Sequence, residues 1–375
     1  MRTKIMVGMA VTALVATACS GGAEDGLGTG EAYTVLGALA ELPGPPSPGL
    51  MIQTADLTGA TEAAGLERPD TPEGIALVEW ISPLLGQPIG ESGEPAPVFV
   101  PVAEVFNLQQ LHQHQEFQES LGWSLVDVDS FAELVLPPER FAVVAGDFDE
   151  STLAADLPEV AEGVVTFGEG EDLSTDLENA SVVSRLGQPI RLAQQDGRVV
   201  AASGTAAVED WLAGLDETLA DDESLAAVAA ALDEQDAVSA VLLSGGSFQG
   251  AQTLAGSGAP ESTVAQLQDE LAGLPSAAFG TVGIGWTVQD GEPVIAVAYH
   301  LGSEDAVERA APEFEAMYQD GVELTSGRPV SASVELLSVE SSGQVLVVRA
   351  ASAEPARVRW LLNQLSARDV PFAHQ

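Results

Sequence analysis

Cysteine is almost missing from this chain: its 375 residues contain one, Cys19. No disulfide can therefore close within the chain, and the fold has to hold by its core alone. Lysine is as scarce, Lys4 being the single example. Basic charge is short overall, with 13 Lys and Arg against 57 Asp and Glu and a net charge of −44. Such a surface repels nucleic-acid phosphates and anionic headgroups, which excludes nucleic acid as a partner. Long apolar runs are missing too. The longest, Ile5 to Ala16, is about a dozen residues, too short for the ~20 that a helix needs to cross a bilayer.

What is present at the start is a short basic opening, Met1-Arg2-Thr3-Lys4, then that apolar run, then the small residues Ala16-Thr17-Ala18 ahead of Cys19. The polar, flexible stretch Ser20 to Gly26 offers nothing that would bury a thiol. This arrangement resembles a bacterial lipoprotein signal, with Ala16 where most such signals carry Leu. The resemblance implies cleavage before Cys19, a diacylglycerol on its sulfur, and an outward-facing protein held at the cell membrane. Two acyl chains at ~0.8 kcal/mol per buried CH₂ give stable anchoring. Loss of Arg2 and Lys4 with the signal would leave 57 acids against 11 arginines, a net of −46.

The acids are spread along the chain and do not form one block. That favours adaptation of the whole surface to salt, which screens self-repulsion, over a single acidic functional face. A GC-rich genome would deplete lysine equally well. With 46 % hydrophobic residues and 19 % charged, the chain has the composition of a folding protein.

The expected organisation is a signal peptide over 1–18, a lipidated cysteine and flexible tether over 19–48, a first α+β half with amino-terminal helices over 49–222, and a second α+β half over 223–375. "LMIQTADL" reads as a strand. "TPEGIALVEWISPLLGQ" reads as a helix opened by Thr71, and "VAEVFNLQQLHQHQEFQESLGW" as a second helix. "RFAVVAGDF" reads as a strand, "DESTLAADL" as a helix start, and "SVVSRLG", "PIRLAQQ" and "RVVAAS" as strands, the last two forming a hairpin at Asp196-Gly197. "TAAVEDWLAGL" then reads as a helix capped by Thr205. After the Ala-rich helix "DDESLAAVAAALDEQ" the grammar repeats. A hairpin across Asp290-Gly291, a helix capped by Ser303, strands "SASVELLSV" and "QVLVVRAA", and the helix "EPARVRWLLNQL" follow in turn. Trp211-Leu212 answers Trp360-Leu361 in this internal repeat. The grammar predicts two tandem ferredoxin-like, split-βαβ halves with mainly antiparallel sheets.

The segments "LGWSLVDVDSF", "ERFAVVAGDFD", "VGIGWTVQDGEPVIAVAYH" and "ARDVPFAHQ" resemble uncharacterised secreted lipoproteins of high-GC Gram-positive bacteria. That resemblance supports the extracytoplasmic address and implies no activity.

No catalytic or cofactor motif emerges. His112 and His114 are two apart and point away from one another on a helix, so "LHQHQE" with Glu116 reads as a solvated polar face and not a metal site. Asp127 and Asp129, and Asp147, Asp149 and Glu150, lack the glycine and terminal Glu of a calcium loop. Ser247 in "LSGGSFQG" misses the nucleophile-elbow spacing, with Gln249 at the second glycine position, and His300 and Asp305 are not tied to it by any pattern. "GTVGIGWT" lies inside a strand, so its glycines predict close backbone approach. The five tryptophans fall at core positions. Asn179 matches a glycosylation pattern by coincidence. The expectation is a non-enzyme with no cofactor, no metal and no catalytic residue, acting as a binding or interaction module for an unidentified envelope protein or ligand. The alternative is a carrier for an apolar ligand held between sheet and helices.

Overall fold

The protein's computed structural model describes residues 27–87, 95–101, 103–106, 108–136, 139–255, 271, 273–354 and 357–375. The expected signal and Cys19 lie outside these.

Among the described residues, twelve strands form one sheet in the order β11-β12-β10-β9-β8-β1-β2-β3-β7-β6-β5-β4. In chain order they are β1 (Leu50–Asp56), β2 (Val128–Leu136), β3 (Glu139–Gly146), β4 (Glu159–Ala161), β5 (Val164–Phe167), β6 (Ile190–Gln195), β7 (Arg198–Ala202), β8 (Ser239–Ser244), β9 (Val282–Gln289), β10 (Glu292–His300), β11 (Val334–Ser342) and β12 (Val345–Ser352). The helices are α1 (Val35–Ala40), α2 (Leu57–Ala63), α3 (Gly74–Leu84), α4 (His114–Leu121), α5 (Thr205–Ala213), α6 (Glu223–Asp233), α7 (Gly250–Ala255), α8 (Glu304–Asp320) and α9 (Trp360–Ala367). The protein is therefore α+β with an antiparallel sheet, as expected.

The finer expectation of two ferredoxin-like halves is not confirmed. Every neighbouring pair is antiparallel, which a split-βαβ unit shares because an antiparallel strand separates its two parallel ones. The halves also share one continuous sheet, because β1 and β8 pair with each other from Leu50↔Ser244 to Ala55↔Ser239. About that central pair the strand order reads the same outward in both directions: β1-β2-β3-β7-β6 on one side and β8-β9-β10-β12-β11 on the other. α1 precedes β1 as α6 precedes β8, and α5 follows β7 as α9 follows β12.

Alternation along the strands buries both faces of the sheet. One face presents Phe131, Val144, Val199, Val241, Ile284, Trp286, Val297 and Val348 to a core shared with α3, α4, α8 and the 95–106 strap. The other presents Ile52, Ala132, Val143, Val200, Leu242, Ala296 and Val347 to α1, α5 and α6. Gly283 and Gly285 let α6 come close, as their position in a strand predicts. A Cβ on Gly283 would stand 2.7 Å from Val228 Cγ1, and one on Gly285 2.9 Å from Ala237 Cβ. The two expected hairpins form with both turn residues at positive φ, Asp196 (51°) and Gly197 (73°), and Asp290 (53°) and Gly291 (85°), as a tight primed turn requires.

Other departures have local causes. Residues 27–48 are packed onto the body and are not tether. Leu27, Tyr33, Val35, Leu39 and Leu42 are buried, and acids capture the backbone: Leu27 N–H donates to Glu41, Gly30 N–H to Asp56, and Val35 and Leu36 N–H to Asp233. "DESTLAADL" is no helix, because Asp149 takes the Ser151 N–H and hydroxyl in a turn, while Leu153 and Ala154 N–H donate to Gln194 and to the Leu121 carbonyl. "SVVSRLG" is a turn around Ser184 that tucks Val182 and Val183 into the core. The helix expected from Thr71 begins at Gly74. The helix expected over the region of His112 is two 3₁₀ turns followed by α4. Thr205 is the first residue of α5 and Gly204 its cap, since Asp172 takes the Thr205 N–H and hydroxyl. Ser303 caps α8 as expected.

Candidate functional site

One row of side chains runs straight across the sheet on the face covered by the 95–106 strap. Val348, Val297, Ile284, Val241, Gln53, Glu133, Ala142, Ala201 and Leu192 are successive cross-strand partners on β12, β10, β9, β8, β1, β2, β3, β7 and β6. Apolar side chains fill every place but two, Gln53 and Glu133. By the order of strands, the counterpart of Glu133 in the second half is Ile284, which is fully buried.

Glu133 is 1 % exposed. Its two oxygens accept the N–H groups of Glu104 (2.8 Å) and Val105 (3.1 Å) from the strap. Burial pushes its carboxyl up to about 8, against the pull of those two N–H groups. The Glu104 carboxylate raises it further and Arg140 lowers it. At neutral pH this acid is therefore largely protonated. Gln53 Oε1 is also buried and has no hydrogen-bond partner among the described residues.

Above Glu133 opens a cleft of about 370 Å³, lined by Glu104, Glu133, Leu134, Val135, Glu139, Arg140, Leu186 and Gln188. On its wall Arg140 pairs with Glu104 at 3.1 Å, both side chains partly exposed. The size fits a small molecule. A cleft of about 490 Å³ lies by the β9–β10 turn of the second half, lined by prolines and apolar side chains including Pro95, Pro293, Val294 and Leu337.

The residues weighed from sequence fall elsewhere. His114 is buried and stacked on Phe117 (ring centroids 5.4 Å apart), so it is not on a solvated face; burial pushes its pKa down to about 4. His112 and Glu116 are exposed. Asp127 caps a turn by accepting from Ser124, and Asp129 pairs with Arg68 at 2.9 Å. Asp147, Asp149 and Glu150 are exposed, Asp149 serving its own turn. No group of three or more His, Cys, Asp or Glu suited to a metal ion occurs among the described residues. Ser247 is exposed and donates to Gln252 (2.7 Å). Trp80, Trp123 and Trp286 are fully buried.

Sequence reasoning missed Glu133. The available signal was "FAELVL", where Phe131, Glu133 and Val135 share one face of a strand and the acid interrupts an apolar side. No protein-family model matches the chain, and neither the curated proteins nor the solved structures contain a match to it.

Proposed function

We propose that this is a lipid-anchored, outward-facing lipoprotein of the cell membrane, attached through diacylglycerol on Cys19, whose body is a non-enzymatic binding module with the Glu133 cleft as its ligand site. The observation that carries the binding reading is a buried, protonatable carboxyl at a cleft, opposite an amide oxygen with no partner among the described residues, in a row that is otherwise aliphatic. Core packing alone would place apolar side chains there, as the second half does with Val241 and Ile284. Buried polar groups cost stability, and their retention at a cleft argues for a ligand.

The carrier alternative needs an apolar cavity against "VGIGWTV" and "VIAVAYHL". Val294, at the turn end of β10, lines the second cleft, but Ile284, Trp286, Val297 and Tyr299 further along are closed by protein, Trp286 by the Phe99 ring at 5.0 Å and Tyr299 by Phe314 at 4.7 Å. This packing favours the interaction module. The matching strand orders and flanking helices further support a chain built from two tandem copies of one antiparallel α+β unit.

Two measurements test the proposal. Acyl labelling and envelope fractionation should find the protein lipidated and membrane-bound, and Cys19→Ser soluble and unlabelled. Recovery of Cys19→Ser in the same membrane fraction would reject the anchor. Solvent extraction and mass spectrometry of protein purified from its envelope should yield no stoichiometric apolar lipid, whose presence would restore the carrier.

A further inference from the structure

We infer that the Glu133 cleft binds a small organic amine as its ammonium, seated against the Glu133 carboxyl. This rests on the reading of the body as a binding module and is independent of the anchor.

Glu133 has unmatched acceptors. An ionised carboxyl has about four lone-pair sites, and Glu133 fills only two, with the Glu104 and Val105 N–H groups. Gln53, directly opposite on β1, adds Oε1 with no partner among the described residues. Side chains so paired have Cβ atoms about 4.5–5.5 Å apart. Glu133 therefore keeps surplus acceptors. In the unliganded cleft the carboxyl proton supplies a donor, which suits the raised pKa of Glu133. An ammonium group supplies three and brings the charge that a buried carboxylate needs.

The surroundings select the class of ligand. The nearest cation, Arg140, is already engaged by Glu104. Glu139 is a further acid in the lining, and Gln188 is neutral. An anion would meet Glu104 and Glu139 in a protein of net charge −44, whereas that field concentrates cations. Leu134, Val135 and Leu186 line the same cleft and offer apolar contact for a short alkyl body. The exchange balances: R–NH₃⁺ enters, the Glu133 O–H bond breaks, and one proton leaves to solvent, with no change in the cleft's net charge.

Butylamine is the probe, with butanol as its uncharged analogue. Calorimetry on the purified protein at pH 6, 7 and 8, in two buffers of different protonation enthalpy, should show about one proton released per butylammonium bound below pH 8. Affinity should tighten ~tenfold per pH unit and level off above about pH 8. Butanol should not bind. Glu133→Gln should abolish proton release and the pH dependence. Arg140→Gln should keep proton release and bind more tightly, since Glu104 is then free. Should Glu133→Gln fold poorly, the carboxyl resonance of Glu133 in the unmodified protein gives the second readout, its midpoint moving to lower pH with added butylamine. No saturable binding up to tens of millimolar, binding without proton release, or an unchanged pH profile in Glu133→Gln would each overturn the inference. None of these results bears on acylation at Cys19.

Discussion

Gln53 and Glu133 face each other across β1 and β2 as the two polar members of a nine-strand row of otherwise aliphatic side chains. They lie where the halves join, since β1 pairs with β2 on one side and with β8 on the other. The second half shows that the fold does not require polarity at this level, because Val241 and Ile284 fill the corresponding places.

This pairing sets a pH dependence of stability. The Glu133 carboxyl has a folded pKa of about 8 against an ordinary 4.5. The folded state therefore binds the proton more tightly than the unfolded chain does. Its stabilising contribution is full below about pH 4.5 and is lost as pH rises towards 8, by a few kcal/mol. Denaturant midpoints of the wild type and Glu133→Gln, measured in constant salt from pH 5 to 8, should show the wild type losing stability relative to the variant. Parallel curves would mean that Glu133 ionises like an exposed acid.

Gly283 predicts a steric cost. Its missing Cβ leaves room for Val228 and Leu232 of α6, at 2.7 and 2.9 Å from where that atom would be. Gly283→Val places three carbons in that space, and α6 has to move away from β9. Overpacking of this kind costs roughly 1–3 kcal/mol. Urea denaturation should show the loss, with Leu232→Ala restoring part of it in the double variant. Full additivity of the two costs would contradict the close approach.

Phe99 closes the opposite face. It is 1 % exposed, stacks edge-on against Trp286 at 5.0 Å, lies under the Arg359 guanidinium at 5.4 Å, and its carbonyl accepts the Ser239 hydroxyl at 2.6 Å. Phe99→Ala should cost about 3–5 kcal/mol and alter the emission of Trp286. A cost below ~1 kcal/mol would mean that the strap is loosely held and that a carrier's cavity could open there.

Local chemistry was the legible part of the fold. The turns at Asp196-Gly197 and Asp290-Gly291 and the Ser303 cap depend on residues adjacent in the chain, and Gly283 and Gly285 announce a close approach by their place inside a strand. What escaped depends on distant partners. β2 was overlooked because Glu133 breaks its apolar side, and that residue makes sense only with Glu104 and Val105 laid across it. Residues 27–42 read as tether because Gly28, Gly30 and Gly37 fall there and the proline-rich stretch from Pro43 follows, yet Asp56 and Asp233 lie far along the chain and hold their N–H groups. The single sheet was hidden for the same reason, since β1 and β8 are separated by some 180 residues of sequence and their pairing leaves no local mark.

Asp233 makes the last of these long-range contacts testable. At the end of α6, its carboxylate accepts the Val35 N–H at 2.6 Å and the Leu36 N–H at 3.1 Å, clasping the amino end of α1 to the second half. Burial pushes its pKa up to about 6, against the pull of those two N–H groups. The stabilisation linked to its proton is full below about pH 3.8 and is lost as pH rises through 6. Asp233→Asn should therefore remove a stability slope between pH 4 and 6 while keeping one acceptor for α1. Asp233→Ala removes both acceptors and should cost about 1–3 kcal/mol. Because α1 is near the start of the body, the damage should be local. Hydrogen exchange should quicken ten- to a hundredfold at Val35 and Leu36, the factor that ~1.4–2.7 kcal/mol represents, while β8 and β9 keep their protection. Equal exchange in Asp233→Ala and wild type would show that the buried side chains of Val35 and Leu39 hold α1 in place without the clasp.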